Sequence, residues 1–562
     1  MAKTVSRRAR ASTRLKQLNY RARARIYLKD PLEAERNPRL YGNVVVSRDS
    51  LITTGPTSSR FIVIDYDPQT DRVERPARSK LVTAGTEKML EFPYRRGSPQ
   101  EAQVNAWATA IDTLDLFQQA LALGREVPWA FEGSRLRILP HASCEPNAFY
   151  NRDTRALHFG YFYDAKGRII KTSLSHDVIA HETAHAVLDG LRPFYLDAHE
   201  PDTGAFHEFI GDLAAMLSLF RDQRTVVEVA QGDSFGDLVS SLAPQVGAGL
   251  YGKADRNFLR SARNTLTYDE VRDVVEVHKR SQVLTGFAFD VFEAIYHLRL
   301  EQRKSKAKGP LTRRDRVAAL LIAARRNMVR LFVRPLDFLP PGSITFHEYV
   351  DVLLRLDERQ YPNDPLGYRR EIRRVARARG VLPPPTWKRP PEISNRELLL
   401  RDINQIRSSR VGAYRFINAN RPLLGIPEHV DFRVVALAKN LRESDDGVIP
   451  PPETFIQYVW DQYVDAAPAG MKDECLVLRP GGTLVVDDNV NVQFWTPQFY
   501  DEPRVTQVMG HVQRLLGVRE VDTVPRRHTR SDRLVEALRE QPSGALALRL
   551  NTSLMHRERG RS

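Results

Sequence analysis

The residues best suited to chemistry lie in Asp177-Val178-Ile179-Ala180-His181-Glu182-Thr183-Ala184-His185-Ala186-Val187-Leu188-Asp189. His181 and His185 stand four residues apart, so on a helix they rise from one face. Two imidazoles so placed can grip one Zn²⁺ at roughly 2.0–2.1 Å. Glu182, one residue further round, reaches a water on the metal rather than the metal itself. The pattern H-E-x-x-H therefore names a reaction class, metal-assisted hydrolysis, most often of a peptide bond. The plainer alternative is a pair of histidines satisfied inside a helical core.

A catalytic zinc takes three protein ligands and keeps one position open for water. His199-Glu200 lies in a stretch containing Pro and Asp that would hold it loosely. Glu208 and Asp212 lie instead on the apolar-periodic run 206–213, and their spacing of four puts both carboxylates on one helical face. The spacing suits Glu208 as third ligand, with Asp212 accepting the far N–H of a ligand histidine and fixing its tautomer. A solvated acidic stripe fits poorly, because the surrounding run is apolar.

These residues need elements to position them. Residues 1–30, rich in arginine, read as a basic, disordered or loosely helical arm. Alternation of apolar and polar residues over 40–95, as in Arg60-Phe61-Ile62-Val63-Ile64-Asp65-Tyr66, predicts strands. A periodic helix follows from Ser98-Pro99 through Trp107, Leu114 and Leu121 to Gly124. Short strands are expected at 136–139 and 157–162, then the H-E-x-x-H helix over 175–190. Residues 206–380 read as mostly helical, with a capping box at Thr345-Phe346-His347-Glu348. Pro383-Pro384-Pro385 and Pro390-Pro391 mark a linker over 381–394. Beyond it, residues 395–562 read as an α+β domain with a hairpin, 475–478 and 483–486 around Pro480-Gly481-Gly482.

Composition narrows the class. With 562 residues, 42% hydrophobic and 27% charged, the chain is globular and long enough for several cores. Two cysteines, Cys144 and Cys475, exclude a disulfide framework and a thiolate zinc cluster, and read as buried thiols in a reducing compartment. The arginines from Arg7 to Arg25 are followed by no apolar signal core, and no run of about 18 apolar residues predicts a membrane span. A cytoplasmic protein is expected. The net charge of +15 raises nucleic acid as a partner, with solvated basic faces the favoured alternative.

The quoted segments resemble the thermolysin-like (M4-type) gluzincin peptidases. The family's zinc helix reads D-V-V-A-H-E-L-T-H-A-V-T-D against D-V-I-A-H-E-T-A-H-A-V-L-D here. Its G-A-I-N-E-A-I-S-D appears as Gly204-Ala205-Phe206-His207-Glu208-Phe209-Ile210-Gly211-Asp212, and its N-N-A-F-W-N as Pro146-Asn147-Ala148-Phe149-Tyr150-Asn151. The resemblance covers about 100–300 and reaches toward 380. It implies an α+β catalytic unit, with a β-rich N-terminal lobe over 31–190 ending in the zinc helix and a mostly α-helical lobe over 191–380.

The resemblance also implies roles. His181, His185 and Glu208 would hold zinc, Glu182 would act as general base, and Asp212 would orient a ligand. Asn147 and Ala148 would hold a peptide substrate as an added strand, and Val178 would line the primary side-chain pocket. The family's D-x-x-x-x-H-x-x-S segment matches Asp273, His278 and Ser281, implying an Asp273-supported His278 that stabilises the oxyanion. Tyr195 lies near the family's second oxyanion donor. Arg260, in Leu259-Arg260-Ser261, would hold the substrate carbonyl, although it lies nearer His278 in sequence than the family's arginine does. His207 replaces the family's Asn and adds a potential ligand. Asp177 matches a calcium ligand but Leu219 replaces the next carboxylate, so calcium is not expected. The activity implied is a zinc-dependent metalloendopeptidase acting on peptide or protein. The alternatives are a binding or regulatory protein on the same scaffold, or a hydrolase of another amide.

Overall fold

The computed structural model describes residues 20–46, 52–197, 199–231, 236–252, 258–307, 309–442, 450–471, 474–520, 538–540 and 546–548. The expected basic arm lies outside these residues up to position 19. Its remainder is not an arm: residues Ala22–Tyr27 form strand β1 of a four-stranded sheet with Tyr41–Val46, Lys80–Ala84 and Glu87–Glu91. Ala22, Ala24 and Ile26 are buried in the alternation of a half-covered strand.

Helix α1 (Pro99–Gln118) starts on a proline, whose missing N–H would have had no helical partner. It buries Trp107, Ile111 and Leu114, and its Asn105 accepts the Tyr27 N–H at 2.9 Å, tying β1 to the helix. Three strands then build the sheet that brings Ala148 to the site. β2 (Leu136–Ser143) runs parallel to β4 (Ala156–Tyr163), and β3 (Ala148–Asn151) pairs antiparallel with β4, Ala148 facing Phe159.

Helix α2 (His176–Leu191) carries the H-E-x-x-H, and all its residues are buried. Ser175 caps it and Asp177 sits in the first turn, where a carboxylate favours the helix dipole. Ile179, Val187 and Leu188 are wholly buried, about 1.5–3 kcal/mol each. That burial is what allows the helix to carry titratable side chains away from water. Helix α3 (Pro201–Ser218), also buried throughout, packs on α2, and α4 (Val277–Lys304) packs on α3. The expected capping box opens α5 (Phe346–Gln360): Thr345 and Glu348 bond each other's backbone N–H at 2.8 and 3.2 Å.

The C-terminal region corrects the expected hairpin. Strands β5 (Thr454–Trp460) and β6 (Gln462–Asp465) form one arm, β7 (Cys475–Leu478) and β8 (Gly481–Val486) the other. Gln462 faces Leu478 and Val459 faces Gly481, so a single register runs through both pairs. The turn lies between Asp465 and Cys475. Pro480-Gly481-Gly482 is where the ribbon passes from one sheet to another, because Gly481 lies against the Tyr458 backbone with no room for a Cβ. Phe455, Val485 and Phe494 of this region join the large apolar core of the rest of the chain. Both cysteines are free and exposed rather than buried. No helix of the described residues is long and apolar enough to cross a membrane.

Candidate metal centre

His181, Glu182 and His185 project from α2 with donor atoms within 4.8 Å of one another, and all three are buried. Among the described residues this is the group of His, Cys, Asp or Glu side chains gathered tightly enough to hold a metal ion. The start of α2 is anchored by Lys29: its carbonyl accepts the His176 N–H at 2.7 Å, and its ammonium pairs with Asp177 at 2.6 Å, both side chains buried.

Helix α3 brings the two carboxylates the sequence singled out. Glu208 Oε2 lies 3.4 Å from His181 Nε2, and Oε1 lies 3.5 Å from His185 Nε2. Asp212 Oδ1 sits 3.2 Å from His181 Nδ1, and its other oxygen accepts from Thr285 at 3.1 Å. The close approach depends on Gly211. A Cβ there would stand 2.4 Å from His181 Nδ1, inside the imidazole's van der Waals surface. An apolar helix interrupted by Gly between two functional carboxylates was the available sequence signal for this contact, and it was missed.

From the other side come Arg260 and His278. Arg260 Nη1 lies 3.2 Å from Glu208 Oε2, and Nη2 lies 3.3 Å from both Asp212 Oδ1 and His181 Nδ1. His278 Nε2 is 3.1 Å from Glu208 Oε2. The partner of His278 Nδ1 is Glu276, at 2.7 Å, and not Asp273. Glu276 is the N-cap of α4 and also accepts the N–H groups of His278 and Lys279, so local capping points it at the imidazole. The Asp273 side chain is 78% exposed and lies 3.7 Å from Arg514. A residue five positions before His278, upstream of the α4 cap, points to solvent instead.

Tyr195 is likewise not brought to the centre. It is fully buried against Phe206, and its hydroxyl donates to the Pro340 carbonyl at 2.8 Å. Tyr150, unremarked in the sequence, does reach the site. Its N–H donates to Glu182 Oε2 at 3.0 Å and its hydroxyl to Asp189 at 2.8 Å, fastening β3 along α2. Arg152, two residues on, also donates to Asp189, at 2.9 Å.

Burial dominates the electrostatics. It raises the Glu182 carboxyl to about 8, opposed by His181 and assisted by Glu208. Burial lowers the His181 imidazole, but the carboxylates of Asp212 and Glu208 outweigh it and raise the ring to about 9. Burial works against the Asp212 carboxylate, yet Arg260 and His181 hold its pKa low. His278 is raised because Glu208 and Glu276 outweigh its burial.

A cavity of about 440 Å³ opens onto this cluster. His181, Glu182, Arg260 and His278 line one part, with Asn147 and Ala148 on the β3 side. Val178, Leu242, Val246, Leu250 and Leu259 line an apolar part. Ten predicted residues, namely His181, Glu182, His185, Glu208, Asp212, Asn147, Ala148, Val178, Arg260 and His278, thus meet in the cluster or its cavity. Tyr195 and Asp273 do not. No protein-family model matches the chain, and none of the curated proteins compared with it is similar in sequence.

Proposed function

We propose that the chain is a zinc-dependent metalloendopeptidase of thermolysin-like type, and the fit of the donor set to zinc carries the reading. Bonds of roughly 2.0–2.1 Å arranged tetrahedrally set ligand atoms about 3.3–3.4 Å apart. Glu208 Oε2 lies 3.4 Å from His181 Nε2 and its other oxygen 3.5 Å from His185 Nε2, so the carboxylate stands at about that spacing from both imidazoles. Both distances exceed the usual hydrogen-bond length of about 2.7–3.2 Å. Two imidazoles and one carboxylate are also the donor set of a hydrolytic zinc site, whereas thiolates would signal a structural one. When bound, zinc supplies Lewis acidity and a water acidified to a pKa of about 7.

The chain's own residues do the rest. His181, His185 and Glu208 would hold the ion, and Asp212, 3.2 Å from His181 Nδ1, would accept that nitrogen's proton and leave Nε2 free to bind. The Glu182 carboxylate, oriented at Oε2 by the Tyr150 N–H, takes a proton from the attacking water and delivers it to the leaving amine. His278, held at Nδ1 by Glu276, offers Nε2–H to the charge developing on the scissile carbonyl oxygen. Arg260 offers its guanidinium to the substrate carbonyl on the leaving-group side. Asn147, just before β3, and Ala148, its first residue, line the cavity and align the peptide as an extended strand. Val178 and its apolar neighbours select an apolar side chain.

The test is elemental analysis with cleavage of a peptide library, for wild type and Glu182→Gln. About one zinc per chain in both, with cleavage in the wild type only, supports the reading. A wild type that takes up no zinc, or equal cleavage by both proteins, refutes it.

A further inference from the structure

The apolar part of the cavity is walled by a short helix, Pro244–Tyr251, whose Val246 and Leu250 line it together with Leu242 just upstream. That helix is seated tightly on two sides. A Cβ on Gly247 would stand 2.1 Å from the Phe258 carbonyl carbon, and one on Gly249 would stand 2.2 Å from Ile170 Cδ1. Where the wall sits therefore depends on how the helix enters that slot.

The entry is not held locally. Ala243, the N-cap, takes φ +49° and ψ +61°, the left-handed region that a residue with a Cβ rarely adopts, and alanine has no polar side chain to cap the helix. Pro244 has no N–H. The two N–H groups on either side of it go to carboxylates far away in the chain. Ala243 donates to Asp177 Oδ2 at 2.9 Å, and Gln245 donates to Asp30 Oδ2 at 2.6 Å.

Two carboxylates at one helix N-terminus suit its dipole but repel each other, and here both are buried. The offsetting charge is Lys29, wholly buried, with its ammonium 2.6 Å from Asp177 Oδ2. Lys29 precedes Asp30 directly, so one dipeptide delivers a carboxylate to the helix and a cation to the carboxylate beside it. The Lys29 carbonyl also accepts the His176 N–H at 2.7 Å, which ties the same dipeptide to the start of α2, the helix of Val178.

We infer that Lys29 and Asp30 are positioning residues for the apolar part of the cavity: with Asp177 they clamp the first turn of the Pro244–Tyr251 helix to the start of α2, and so fix the pocket that selects a substrate side chain. The inference rests on the peptidase reading for its substrate, but not for its geometry. The segment after β1, far from the H-E-x-x-H in sequence, thereby becomes part of what determines specificity.

The experiment compares full-length wild type, Lys29→Met and Asp30→Ala. Hydrogen exchange followed by mass spectrometry reads the amides of 243–251 against those of α3. Steady-state kinetics compare a peptide cleaved at Leu with its Ala counterpart, and elemental analysis counts zinc. Lys29→Met removes the cation. Asp30→Ala removes one carboxylate and leaves the Lys29–Asp177 pair intact, so it decides the question should the first variant fail to fold. We expect exchange in 243–251 to quicken at least about tenfold in both variants, with α3 unchanged and zinc retained. KM for the Leu peptide should rise about tenfold with kcat within about threefold, lowering the preference for Leu over Ala, since a few methylenes in an apolar pocket carry about 10–200-fold. Wild-type exchange over 243–251 in a folded variant overturns the inference. So does quickened exchange throughout the chain with both peptides equally impaired, or the unfolding of both variants, since either outcome would mean that the residues support the fold at large. A wild type that holds no zinc or cleaves neither peptide removes the peptidase reading, and the exchange comparison then decides the clamp by itself.

Discussion

The contact between Gly211 and His181 gives the sharpest test of how the site is built. In Gly211→Ala, the new Cβ would stand 2.4, 2.5 and 2.7 Å from Nδ1, Cε1 and Cγ of His181. Ordinary carbon contacts lie at about 3.5–4.0 Å, so the ring or the helix must move by about 1 Å. His181 cannot swing away cheaply, being held between Asp212, Glu208 and Arg260 within 3.2–3.4 Å. Two effects then oppose each other. Helix propensity favours Ala over Gly by about 1 kcal/mol, so the metal-free fold should lose little stability overall. Metal binding tolerates ligand errors of about 0.2 Å, so a displacement of about 1 Å removes His181 from the ligand set. Zinc affinity should fall at least about 100-fold, equivalent to about 2.7 kcal/mol, with cleavage lost in parallel. Urea unfolding of the chelator-treated protein and a chelator competition for zinc measure the two halves separately. A variant that binds zinc as tightly as wild type would refute the packing argument. One that simply unfolds would show that the contact supports the fold rather than the site.

Two other predictions address corrected expectations and acid stability. Glu276→Gln should lower kcat about tenfold with KM little changed, because the neutral amide supports a charged His278 less well, whereas Asp273→Asn should leave both constants near wild type; steady-state kinetics showing the reverse order would restore the sequence-based pairing. Burial lowers His176 and His199 to about 4. Below pH 6.5 the unfolded chain takes up protons that the folded chain refuses, so stability is full above pH 6.5 and falls as pH drops toward 4. Each histidine should cost about 2 kcal/mol by pH 5, read as a falling urea midpoint between pH 7 and pH 5. A midpoint constant over that interval contradicts the burial argument.

What the sequence could settle about this protein was the chemistry that depends on short-range geometry. Helical spacing alone puts His181 beside His185, and Glu208 beside Asp212, because a helix of 3.6 residues per turn leaves no other arrangement. The capping box at Thr345 and the strand alternation near Phe61 are local in the same way. The tertiary structure decided everything that needs two distant segments to choose each other. Glu276 rather than Asp273 reaches His278, since the cap of α4 turns one carboxylate inward and leaves the other in water. Tyr195 faces Pro340 because the 339–343 segment, itself covered by the C-terminal sheet, offers its hydroxyl a buried acceptor. The glycines at 481 and 482 bend a ribbon instead of closing a hairpin, because the register continues past them to a turn near residue 470. Residue types state which bonds are possible. Only packing, which forbids a Cβ at Gly211, determines which of them form.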